Sequence, residues 1–169
     1  MRDIDRNQEL NVQKVNVIMG AYLNPSSKLF RNALNSKIFL DKSELIARTN
    51  ALVDTAQMFA CVSRPRRFGK SMALEMLSAY YGRGEDTHRL FDGLKIATDE
   101  SYEKFINKYN VIRINMQMFL SMSKSIDDLI DILQEELISD FHDVCSTKKT
   151  RFLSVMKDVY AQTNRQCVV

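Results

Sequence analysis

The sequence predicts an α/β fold, with helices flanking a parallel sheet. Three observations point there. Met58-Phe59-Ala60-Cys61-Val62 and Val111-Ile112-Arg113-Ile114 are apolar runs too short for helices, and they read as strands. Stretches of helical composition or helical periodicity separate them and follow them. After two amphipathic helices, Cys167-Val168-Val169 opens a third run of strand character. Strands that alternate with helices build parallel sheets, because each parallel connection must cross over the sheet.

Residues 1 to about 18 are polar and lack Gly and Pro, as in a short helix or a loose leader. Gly20 and Asn24-Pro25-Ser26-Ser27 then punctuate the chain. Ile38-Phe39-Leu40 is a short apolar run. Asp41 with Glu44 three residues on matches a helix N-cap and its capping-box partner. That helix is expected to run to about Ala56, with Leu45, Ile46, Leu52 and Val53 near one face. The 58–62 run is expected to be a buried strand. Ser71 to Tyr81 is rich in helix formers, with apolar residues on most sides, so a largely buried helix is expected, stopped at Gly82. A short helix near Glu100 to Lys108 precedes the 111–114 strand. Ser125 to His142 is the strongest amphipathic stretch, with Ile126, Leu129, Ile130, Leu133, Leu137 and Phe141 at helical spacing. Thr150 to Gln162 repeats the pattern with Phe152, Leu153, Met156, Val159 and Tyr160. The nine methionines read as core filler.

Composition bounds the function. With 45% hydrophobic and 27% charged residues the 169-residue chain is ordinary for a globular domain, which argues against extended disorder. A net charge of +3 is too small for a general nucleic-acid surface. Instead Arg64, Arg66, Arg67 and Lys70 concentrate charge in one short stretch, which points to a local anion site. Cys61, Cys145 and Cys167 form no CxxC pair and there are two histidines, so neither a disulfide framework nor a metal cluster is expected; the thiols read as buried or half-buried. The N-terminus has no signal-peptide core, and no segment approaches the roughly 18 apolar residues of a membrane span. The expectation is a cytoplasmic protein with no membrane partner.

The chemistry lies in Arg64-Pro65-Arg66-Arg67-Phe68-Gly69-Lys70-Ser71. The phosphate-binding loop pattern G-x-x-x-x-G-K-[ST] sits between a strand and a helix. Its second half is present as Gly69-Lys70-Ser71, and Arg64 stands where the first Gly belongs. Gly69 lets the backbone pass close to a phosphate. Lys70 places an ammonium against β- and γ-phosphates, and the Ser71 hydroxyl can ligate Mg²⁺. The helix that starts here offers N–H groups and the positive end of its dipole, with Met72 in its first turn. Pro65 removes one amide from the loop, while Arg66 and Arg67 can add bidentate contacts. The cofactor-binding set is therefore Arg64, Arg66, Arg67, Phe68, Gly69, Lys70, Ser71 and Met72, with Ser71 as the Mg²⁺ ligand.

Ser63 to Ser71, together with Gly20-Ala21-Tyr22-Leu23-Asn24-Pro25, Ile38-Phe39-Leu40-Asp41-Lys42-Ser43 and Leu90-Phe91-Asp92-Gly93-Leu94-Lys95-Ile96, closely resembles the AAA-ATPase-like family. The resemblance implies a P-loop NTPase-like sheet, ATP and Mg²⁺ as cofactors, and often a C-terminal nuclease-like domain of the PD-(D/E)XK type. It divides the chain into a leader or extension at 1–37 and a partial ATPase-like domain at 38–169. Asn115 stands where the family often has an Asp, and Gln166-Cys167-Val168-Val169 resembles the start of the Walker B strand, before its carboxylates. The resemblance thus implies the front part of a longer ATPase, a chain that binds nucleotide without hydrolysing it efficiently, and a sheet either open where a later strand belongs or with its second and third strands displaced. Asp41 and Lys42 match a family motif. They read either as groups near the nucleotide or, the preferred reading, as a helix cap.

Two other classes stay open at this level. One is a phosphoanion or nucleic-acid binding module built on Arg64, Arg66 and Arg67; Lys148-Lys149 and Arg151 form a second small cluster that reads as solvated surface. The other is a degenerate scaffold for protein contacts.

Overall fold

β1 (Asn110–Val111) is where two hydrophobic cores meet. The computed structural model describes residues 19–63, 65–144 and 148–169. Before β1 come α1 (Lys28–Leu34), α2 (Glu44–Asn50), α3 (Lys70–Tyr81), α4 (His88–Phe91), a 3₁₀ turn (Lys95–Thr98) and α5 (Tyr102–Phe105). After it come α6 (Met116–Met122), α7 (Ile126–Val144), α8 (Phe152–Thr163) and β2 (Cys167–Val168). β1 and β2 pair in parallel, Asn110 opposite Cys167 and Val111 opposite Val168. The result is a mixed helix–strand fold with a small two-stranded parallel sheet flanked by helices.

Strand geometry explains why β1 is central. Its backbone bonds alternate between edges: Asn110 N–H donates to Gln166 O and Ile112 N–H to Val168 O, whereas Arg113 N–H donates to Tyr22 O and Val111 O accepts from Asn24 N–H. Leu23 thus bridges Ile112 in antiparallel sense on the edge away from β2. Side chains alternate too. Val111 joins a core of Phe30, Ile46, Met76, Tyr80, Phe91 and others, while Ile112 joins Leu23, Leu137, Phe141, Val155 and Val159. Residues 20–34, grouped with the leader on sequence, contribute Leu23 to one core and Phe30 to the other. Residues 1–18 lie outside the described residues.

Several expectations change. The 58–62 run is not a strand: Phe59–Ser63 make no backbone hydrogen bond among the described residues, and Phe59 is 88% exposed. Apolar content invites burial, but a strand also needs neighbours to satisfy its amides. Here a groove of about 260 Å³ lies between this segment and the sheet, lined by Met58, Ala60, Val62, Leu74, Val111 and Val168. The helix from Glu44 ends at Asn50, and turns follow to a left-handed Asp54. α3 is buried only in its second half, Leu77 excepted; Ser71, Met72 and Leu74 are exposed. The helix near 100–108 shortens to α5. In α7, Leu129, Leu137 and Phe141 are buried but Ile126 and Ile130 are exposed; in α8 the buried residues are Val155 and Val159, with Leu153 and Tyr160 outside. Met58, Met72, Met116, Met118 and Met122 are exposed rather than core filler. Cys61 is exposed, Cys167 half-buried, and Cys145 outside the described residues.

The larger core carries a polar lattice. Tyr81 Oη donates to Asn50 Oδ1 at 2.7 Å, Asn50 Nδ2 donates to Tyr80 Oη at 3.1 Å, and Tyr80 Oη donates to Tyr102 O at 2.7 Å. Burial pushes the Tyr81 phenol up to about 12, against a hydrogen bond with Thr49 that lowers it, and burial pushes Tyr80 up as well. A phenol whose pKa is higher folded than unfolded favours the folded state below about pH 10 and loses that contribution as pH rises through its folded value. Urea stability is therefore expected to fall between about pH 10 and 12 in step with phenolate absorbance. Tyr81→Phe strands Asn50 Oδ1 and is expected to cost about 1–2 kcal/mol at neutral pH. Unchanged stability across that pH window would show that these phenols are not held as described.

Candidate functional site

The basic loop joins the exposed 58–62 segment to α3. Its conformation rests on two left-handed residues, Arg67 at φ 68° and Gly69 at φ 79°. Gly69 is the N-cap of α3, with no side-chain cap, and Ala73 N–H donates to its carbonyl at 2.9 Å. At φ 79° glycine is the residue that adopts the turn without strain. α3 then runs twelve residues to Gly82, long enough to develop a dipole at this end.

The charge arrangement opposes what a free helix start prefers. Acidic residues stabilise helix N-termini. The first turn of α3 has none, and Arg66, Arg67 and Lys70 are exposed beside it. Arg66 and Arg67 make no ion pair among the described residues. First-turn amides lack intrahelical acceptors. Positive dipole end, open amides and unpaired guanidinium groups all favour an anion here.

Lys70 Nζ donates to Pro65 O at 3.1 Å, so the ammonium lies against its own loop. Ser71 is exposed at the second position of the helix, where a hydroxyl can ligate a cation held by phosphates. Phe68 and Met72 are exposed on either side of Gly69. Of the sequence-derived set, Arg66, Arg67, Phe68, Gly69, Lys70, Ser71 and Met72 thus lie around one helix start, and Arg64 lies outside the described residues. Among the described residues no group of three or more His, Cys, Asp or Glu could hold a metal ion.

A second part of the site is not evident in the loop pattern. Beside the loop lies a cavity of about 260 Å³, lined by Phe39, Leu40, Lys42, Gly69, Met72 and Met76 among others. Its walls are mainly apolar and it opens next to Gly69. The 38–42 segment that forms one wall is anchored at Asp41, which accepts from Ser43 N–H at 2.8 Å and from Lys95 N–H at 2.9 Å. Burial alone would raise the Asp41 pKa, but those two N–H groups, the Ser43 hydroxyl and the Lys95 charge hold it below its ordinary value. Asp41 is therefore not the helix N-cap expected on sequence: Ser43 is the N-cap of α2, with no side-chain cap hydrogen bond, and Glu44 pairs with Lys95 rather than completing a capping box. Lys42 instead crosses to the loop, donating to Phe68 O at 2.8 Å. The signal for it was present in Asp41-Lys42-Ser43, but a helix cap accounted for the motif without requiring the contact.

No curated protein and no solved structure matches the chain. A sequence family described as predicted AAA-ATPase matches residues 28–169, a span that takes in the 38–42 segment, the basic loop and both strands. The chain belongs to the AAA-ATPase-like family.

Proposed function

We propose that the chain binds a nucleoside triphosphate, ATP with Mg²⁺, using 65–71 as a variant Walker A loop. The observation that carries this reading is the start of α3, where a left-handed glycine, the exposed Arg66 and Arg67, and an acid-free first turn coincide. The phosphates would lie on the first-turn amides, with Lys70 on the β- and γ-phosphates and Ser71 ligating Mg²⁺. Arg66 and Arg67 would add charge where Pro65 removes an amide. The mainly apolar cavity between 38–42 and α3 is the natural place for the base, because it adjoins the loop. The bound metal would neutralise phosphate charge; the chain's own residues bind and orient.

Calorimetry with Mg-ATP tests the reading. Saturable binding is expected, weakened when Mg²⁺ is chelated, and ligand at about 100 times its dissociation constant should stabilise the fold by roughly 2.7 kcal/mol. If ATP fails to bind while an oligonucleotide binds with steep salt dependence, the cationic loop serves a nucleic-acid backbone instead.

A further inference from the structure

Lys42 is 26 residues from the carbonyl it contacts, yet its position is closely fixed. Both neighbours are stapled to the 3₁₀ turn. Asp41 Oδ2 accepts from Lys95 N–H, and the fully buried Ser43 accepts from Ile96 N–H through Oγ at 3.1 Å. The backbone beneath Lys42 is therefore set by the body of the fold rather than by the loop. From that base the side chain lies along the cavity wall and ends at Phe68 O. A Cβ added to Gly69 would come within 3.2 Å of Lys42 Nζ. The ammonium thus sits against the junction of loop and helix, where the phosphates are proposed to bind.

An ammonium has three donors, and the contact with Phe68 O uses one. Lys42 makes no ion pair among the described residues. Lys42 is exposed with its ammonium beside Gly69, at the positive end of the α3 dipole, where an unneutralised cation is disfavoured. An anion on the loop reverses that sign. We infer, on the basis of the nucleotide reading above, that Lys42 is a second lysine of the phosphate site: a positioning residue that sets the loop through Phe68 and offers its remaining donors to the bound polyphosphate. The site is then assembled from two distant segments, and its affinity for phosphate depends on how 41–43 is seated against 95–96.

The test compares Mg-ATP, Mg-ADP and adenosine binding to the wild-type chain, Lys42→Met and Lys42→Arg, with thermal unfolding of each unliganded protein. Lys42→Met is expected to weaken Mg-ATP about tenfold or more, to weaken Mg-ADP less, and to affect adenosine least. Lys42→Arg should restore much of the ATP affinity, because it keeps the charge. A brace with no phosphate role would shift all three ligands equally or none, and either pattern overturns the inference while the nucleotide reading stands. A wild-type chain that binds none of the three sinks the nucleotide reading and this inference with it.

Discussion

Lys70→Ala is expected to weaken Mg-ATP binding by about a hundredfold, roughly 3 kcal/mol, with little change in fold stability. The two halves of that expectation have separate grounds. Charge-assisted hydrogen bonds to phosphate are among the stronger polar contacts, and losing the donor leaves phosphate charge uncompensated. Stability should barely move because Lys70 is exposed at the first position of α3, and its contact with Pro65 O is an exposed one. Alanine is the best helix former, so propensity does not oppose the change. Calorimetric titration beside urea unfolding separates the effects. A variant that binds as well as wild type would remove Lys70 from the phosphate site, and a variant that unfolds would mean that the loop contact is structural.

Asp140→Ala should have the largest effect on folding, about 3 kcal/mol or more, out of the 5–15 kcal/mol typical of a domain. The Asp140 carboxylate accepts from Ala21 N–H at 2.6 Å, Tyr22 N–H at 3.0 Å and Leu23 N–H at 2.8 Å. These are charge-assisted bonds to successive amides, and Asp140 is nearly buried. Removing the acceptor strands up to three donors and frees the strap that carries Leu23 into the smaller core and Asn24 onto β1. Gly20 is part of the same fit: a Cβ there would meet Asp140 Oδ2 at 2.5 Å, so Gly20→Ala should also destabilise. A lower urea midpoint with unchanged m-value is expected for both variants. A loss below about 1 kcal/mol for Asp140→Ala would mean that the strap finds other acceptors.

What could be read in the sequence was what local pattern encodes. α3 follows from its run of helix formers after Gly-Lys and α7 from its apolar spacing, whereas of the 111–114 run expected as a strand only Val111 lies in β1, with Ile112 in an isolated bridge. The loop pattern was visible because glycine, lysine and serine recur at fixed spacing in phosphate-binding loops, and Gly69 does adopt the left-handed turn at the start of α3. Asp140 was not legible, since one acid in an amphipathic helix looks like surface until the amides 119 to 117 residues earlier arrive. The 22–24 bridge was hidden by the adjacent Asn-Pro turn signal. Phe59 was misread because hydrophobicity reports a preference for burial, whereas pairing depends on strands brought in from elsewhere. Lys42 falls between these cases: its motif was visible, but its target lies on another segment.

The alternation at β1 also couples the two halves energetically. Val111 and Ile112 are consecutive residues committed to different cores, and the chain between them has no slack. A slip of one residue in the pairing with β2 would exchange their faces and empty both cores together. Neither half can then loosen by much while the other keeps its packing, and the domain should behave as one cooperative unit despite its divided interior. Ligand at the start of α3, whose far end packs in the core that Val111 enters, would thereby stabilise α7 and α8 without touching them.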